Sequence, residues 1–124
     1  MSVVWGNVVY DSARIGASIG TRGTGQEDRA ILFKADSFCV DVMIHAGTGG
    51  IHLVQGQVLH QAHDTPVRGV RVRLGQDSEG AETDCYGQFS LTNLRGEDLK
   101  FLVVGIGEKE VICWLPVCDT WSSE

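Results

Sequence analysis

His60 and His63, with Asp64 adjacent, are residues of this 124-residue chain whose types and close spacing could hold a transition metal. A zinc site needs three protein ligands or more in a roughly tetrahedral arrangement. The trio falls in a loop-forming stretch around Thr65 and Pro66, where a spacing of three does not place side chains on one face, and no further ligand is close in sequence. The four cysteines are Cys39, Cys85, Cys113 and Cys118, with no Cys-x-x-Cys; Cys113 and Cys118 flank Pro116 without a second pair and read as core and surface thiols. Asp84 precedes Cys85, Tyr86 and Gly87, a setting in which a carboxylate accepts from the backbone N–H groups of a tight turn and does no chemistry. The Gly105-Ile106-Gly107 run is too short for a dinucleotide fingerprint and leads into a strand. His-Glu-x-x-His and phosphate-binding loops are absent from the sequence. The expectation is a chain without catalytic residues, metal or cofactor.

Side chains suited to binding a protein are easier to find. Trp5, Trp114 and Trp121 lie near the chain ends, where an indole either plugs the open end of a sandwich or anchors an interface. Trp114 sits in an apolar run and is assigned to the core, whereas Trp121, among Asp119, Thr120, Ser122, Ser123 and Glu124, has no apolar neighbours in sequence to bury it. Arg71 and Arg73 alternate with Val70, Val72 and Leu74, which turns both guanidinium groups outward and makes a small basic ridge with Arg68. The partner-contacting candidates are therefore Trp5, Trp121, Arg68, Arg71 and Arg73. Sixteen Asp and Glu against ten Lys and Arg give a net charge of −6, a field that repels phosphates and anionic lipid heads and argues against nucleic-acid or membrane-surface binding.

The elements that must position these residues are strands. Sixteen glycines, two prolines and short β-branched runs point to strands and tight turns, and no window sustains a 3.6-residue period. In residues 38–46, Phe38, Val40, Val42 and Ile44 alternate with Cys39, Asp41, Met43 and His45. A Gly-rich turn at 47–50 returns the chain through 51–59, where Val54, Gly56 and Val58 share a face and Gly56 admits a close neighbour. Further strands are expected at 70–74, at 81–83 and 88–92 as a hairpin across Asp84–Gly87, and at 99–104 and 110–115 as a hairpin across 105–109. The last two are apolar on both faces, so they should be central or covered. Residues 3–10 read as one short strand, followed by a Gly-rich loop over 12–29. The organisation expected is an N-terminal strand and loop over 1–29, a β-sandwich over 30–118 and a polar tail over 119–124.

Three stretches in order, VQGQVL at 54–59, TPVRGVRVRL at 65–74 and TDCYGQFSLTNL at 83–94, resemble the carboxypeptidase regulatory-like domain, a transthyretin-like sandwich of about seven strands. That resemblance implies that Asp84 and Gly87 build a structural turn and that Phe89 plugs the sandwich. VVYDSA at 8–13, TRG at 21–23 and ILFKADSFCVDVMI at 31–44 are similar to small bacterial regulatory-like proteins that accompany alternative sigma factors and caspase-like CHAT proteases. This second likeness implies a regulatory protein partner and no reaction. Two enzyme families built on transthyretin-like cores do not fit. Hydroxyisourate hydrolases end in Tyr-Arg-Gly-Ser and this chain in Trp-Ser-Ser-Glu; intradiol dioxygenases bind iron with two Tyr and a His-x-His pair, and no His-x-His occurs here.

Together these readings predict an all-β, antiparallel, transthyretin-like sandwich of seven to eight strands, acting as a non-enzymatic adaptor for a sigma factor or a CHAT protease. Self-association through sheet edges is the second reading. No apolar run is long enough for a signal-peptide core or a membrane span, so a cytoplasmic location with reduced thiols is expected.

Overall fold

The computed structural model describes residues 2–12, 28–75 and 80–115. Pro116, Cys118, Trp121 and the tail over 119–124 lie outside them, as does most of the loop expected over 12–29. The described chain is a β-sandwich of two sheets. Eleven strands follow one another: β1 (Ser2–Trp5), β2 (Asn7–Asp11), β3 (Arg29–Ala35), β4 (Phe38–Ala46), β5 (Ile51–His60), β6 (Thr65–Pro66), β7 (Arg71–Leu74), β8 (Ala81–Glu82), β9 (Gln88–Arg95), β10 (Phe101–Ile106) and β11 (Lys109–Trp114). One sheet runs β1-β11-β10-β7-β8; the other runs β2-β3-β4-β5-β6, with β9 also paired to β5. The number exceeds the expected seven to eight because residues 3–10 divide into β1 and β2, because β3 was not among the strands expected, and because β6, two residues long, carries too little pattern to be read from sequence.

Alternation dictates which residues form the core. Phe38, Val40, Val42 and Ile44 of β4 face Val54 and Val58 of β5, and all are buried. Val72 and Leu74 of β7, Leu102 and Val104 of β10, and Val111 and Cys113 of β11 close the cluster from the other sheet. Phe89 reaches into the cluster over Gly56, where any Cβ would meet the Phe89 ring. Val70 and Phe101 are only partly buried. Phe101 lies on the outward side of β10, against Trp114.

Four expectations are corrected. Residues 3–10 are not one strand: β1 joins the five-stranded sheet and β2 the six-stranded sheet, so segments from 1–29 belong to both layers. The sandwich is not wholly antiparallel, because β1 runs parallel to β11. Residues 81–83 and 88–92 do not form a hairpin; β8 pairs with β7 and β9 with β5, so the turn between them crosses from sheet to sheet. The last hairpin is tighter than expected, since β10 and β11 pair as far as Ile106 and Lys109, leaving Gly107 and Glu108 as the loop.

Close contacts fix both ends of β2. At Gly6 the chain leaves β1 for β2, its N–H donates to the Ile112 carbonyl at 2.8 Å, and an added Cβ would stand 2.8 Å from Cys113 Sγ and 3.4 Å from Phe33 Cβ. At the far end of β2, buried Asp11 accepts two bonds from Arg29 of β3, at 2.9 Å from Nε and 2.6 Å from Nη2. A buried pair is a doubtful source of net stability, but removing either member strands a charge at a cost of about 3–5 kcal/mol.

Gly6→Ala is expected to destabilise the fold by about 1–3 kcal/mol through overpacking. Because Cys113 Sγ is the nearest obstacle, Gly6→Ala with Cys113→Ala should cost less than the sum of the two single changes. Urea unfolding of the four chains measures this coupling; strict additivity would contradict the contact.

Candidate interaction surfaces

The outer face of the five-stranded sheet follows from its register. Trp5 is aligned with Ile112, Ile112 with Val103 and Val103 with Arg73, so these four form one row across β1, β11, β10 and β7. The adjacent row is Val3, Glu110, Gly105 and Arg71. Trp114 stands opposite Phe101 in the next, their ring centroids 4.8 Å apart in a tilted arrangement that aromatic pairs favour. Val4, Val111 and Cys113 point the other way, into the core. Trp5 is 55% exposed and Trp114 53% exposed, with Val3 at 48%. Val103, although on this outer side, is only 4% exposed because the larger side chains around it cover it.

Trp114 is therefore not a core residue. Residues 110–115 are apolar on both faces, and hydrophobicity did not say which face turns inward. Pairing with β1 decides it, burying Val111 and Cys113 and leaving Ile112 and Trp114 outside. The available signal was the Val3-Val4-Trp5 run, another stretch apolar on both sides, which marks a strand docked on a sheet.

The arginines separate. Arg71 and Arg73 share the outer face with the indoles, but Arg68 lies on the connection from β6 to β7, between the two sheets. Arg73 is held: Nη1 donates to the Gly75 carbonyl at 2.7 Å and Nη2 to Glu110 at 3.3 Å. Arg71 is exposed and stands across from Glu82 of β8. What was expected as a three-arginine ridge is a flank of two, Arg71 and Arg73. Trp121 lies outside the described residues.

Asp84 and Gly87 organise the crossing between sheets. Asp84 Oδ1 accepts from the N–H groups of Tyr86 and Gln88, both at 2.9 Å, and the Asp84 N–H donates to the Gln88 carbonyl at 3.0 Å. Gly87 has φ +75°, and a Cβ there would stand 2.5 Å from the Val58 carbonyl. Nearby, Thr83 Oγ1 donates to the Val67 carbonyl at 2.7 Å and accepts from the Val70 N–H at 3.1 Å.

Beside this turn an open groove of about 590 Å³ is lined by Asp41, Met43, Gln55, Gln57, Glu82 and Asp84, among others. Its acidic lining offers hydrogen-bond acceptors, but among the described residues no group of three His, Cys, Asp or Glu is placed to hold a metal ion. His60 packs against Phe38 in a tilted arrangement, 4.9 Å between ring centroids. Burial pushes the Cys113 thiol up to about 12, so it stays protonated and unreactive, whereas Cys85 is exposed. No described helix is long and apolar enough to cross a membrane. Comparison with family models, curated proteins and solved structures finds nothing that matches the chain.

Burial also raises the Asp41 carboxyl above its ordinary 3.8. Between the unfolded and folded values the native state holds the extra proton, so stability falls as pH rises through that window and stays lower above it. Asp41→Asn should therefore unfold at a higher temperature than the wild type at pH 7, and the difference should shrink below the unfolded carboxylate range. Thermal unfolding of both chains across pH checks this; a variant less stable at pH 7 would contradict it.

Proposed function

We propose that this chain is a non-enzymatic protein-interaction module of the cytoplasm, a regulatory adaptor whose docking surface is the outer face of the five-stranded sheet. The observation that carries the reading is the pair of half-exposed indoles, Trp5 and Trp114, set on one face with Val3, Ile112 and Phe101. Large apolar side chains gathered on one surface mark interaction sites, and Trp is the residue type most often found to anchor them. Arg71 and Arg73 stand on one flank of this face in a chain whose net charge is −6. The complementary partner surface is apolar at its centre with carboxylates on one side.

The resemblance of residues 54–94 to carboxypeptidase regulatory-like domains supports a transthyretin-like accessory domain. The likeness of residues 8–44 to regulatory-like proteins supports an alternative sigma factor or a caspase-like CHAT protease as the partner. Under this reading Asp84 and Gly87 serve the scaffold, and neither contacts the partner.

Trp5→Ala and Trp114→Ala should each weaken binding by about 2 kcal/mol or more, roughly 30-fold. Both should cost far less stability than the about 3–5 kcal/mol lost when a fully buried Trp is truncated. Calorimetric titration of the purified chain against a sigma factor and a CHAT protease, with thermal unfolding of each variant, tests both statements. Variants that bind as tightly as the wild type, or a wild type that binds neither protein, would refute the reading.

A further inference from the structure

The edges of the two sheets are not equally protected. An edge strand presents unpaired N–H and C=O groups, and proteins blunt it by shortness, bulges, charge or proline. The β8 edge is two residues long, and β2 carries a register shift between Val8 and Tyr10. At the start of β9 the Gln88 N–H and C=O are both taken by Asp84, and farther on the register shifts opposite the step from His52 to Val54. Apart from its short length, β1 has none of these devices. Its four residues, Ser2, Val3, Val4 and Trp5, include no charge and no proline, its register with β11 is unbroken, and no described strand lies beyond it.

The β1 ladder also fixes which backbone groups are open. The Ser2 N–H donates to the Glu108 carbonyl at 3.1 Å and the Gly6 N–H to the Ile112 carbonyl at 2.8 Å. By alternation Ser2, Val4 and Gly6 turn their backbone groups toward β11, and Val3 and Trp5 turn theirs outward. Two open positions separated by one residue are self-complementary. Set antiparallel about a two-fold axis through Val4, the strand places Val3 opposite Trp5 of a second copy, and Trp5 opposite Val3 of that copy. Both are hydrogen-bonded pairs, and together they close four N–H···O bonds. The same register lays each exposed Trp5 against an exposed β-branched Val3 on one face, a favourable cross-strand pair, and brings no like charges together.

We infer that the chain forms a two-fold dimer in which β1 pairs antiparallel with β1 of a second copy, joining two five-stranded sheets into one. The inference rests on the sheet edge and does not depend on the adaptor reading. In the dimer the outer faces stay exposed and the two Trp5 side chains fall on one continuous surface.

Light scattering coupled to size exclusion on the full chain is expected to show twice the 13.4 kDa chain mass at the concentrated end of a dilution series. A monomer throughout would overturn the inference. Val3→Pro deletes an outward donor without touching the β11 ladder and should give a monomer with unchanged circular dichroism. Because proline can also disturb β1 itself, a charge exchange provides the second test. Val3→Lys with Trp5→Lys, and Val3→Glu with Trp5→Glu, should each yield monomers, and mixing the two should restore the dimer mass as introduced lysines meet introduced glutamates. A dimer that survives either double change, or a mixture that stays monomeric, assigns the contact elsewhere and overturns the proposal.

Discussion

The arrangement of both sheets depends on one tight passage, the crossing of the chain at Gly6 over Cys113 and Phe33. A side chain at this position has no space, since its Cβ would stand 2.8 Å from the Cys113 sulfur. With only hydrogen there, β1 can lie parallel to β11 while β2, one residue later, lies antiparallel to β3. Residues 2–11 thereby tie the two layers together, and the buried Asp11–Arg29 pair holds the far end of β2 in place. The same passage orients β11. With β1 docked against it, Val111 and Cys113 point into the core, and Ile112 and Trp114 are left on the outer surface beside Trp5.

A second crossing, at Asp84–Gly87, complements the first from the opposite edge of the five-stranded sheet. There the fold uses hydrogen bonds where Gly6 uses close packing: one carboxylate oxygen accepts from two backbone N–H groups, and Gly87 supplies the left-handed backbone. Outer and inner surfaces differ accordingly. The six-stranded sheet turns Asp41, Gln55 and Gln88 to solvent along with Met43, and the five-stranded sheet turns out Trp5 and Trp114 beside Arg71, Arg73 and Glu110. The two exposed indoles on the five-stranded sheet are the physical basis of the proposed adaptor reading.

Much of this was legible from residue order because strands with one polar face declare their own orientation. Residues 38–46 and 70–74 alternate strictly, and their inward and outward sides could be read directly. The same was true of Gly56, whose position on an inward-facing row announced a close neighbour. Residues 3–5 and 110–115 were not legible, because apolar residues at every position leave the inward face to be set by pairing. That pairing, β1 with β11, joins residues about a hundred positions apart and has no local signature. The split of 81–92 between sheets was hidden for a different reason. A turn capped by Asp84 looks the same in sequence whether it closes a hairpin or carries the chain across the sandwich.

The central claim is that binding takes place on the indole-bearing face and not at the polar groove near Asp41 and Gln88. Nuclear magnetic resonance spectra of the labelled chain, recorded while a sigma factor or CHAT protease is added, test this directly. The account predicts that the indole N–H signals of Trp5 and Trp114 and the amides of Val3, Ile112 and Val103 shift or broaden, while those of Asp41, Gln55, Gln57 and Ser90 stay in place. Perturbations confined to the second group, with both indoles unmoved, would contradict it.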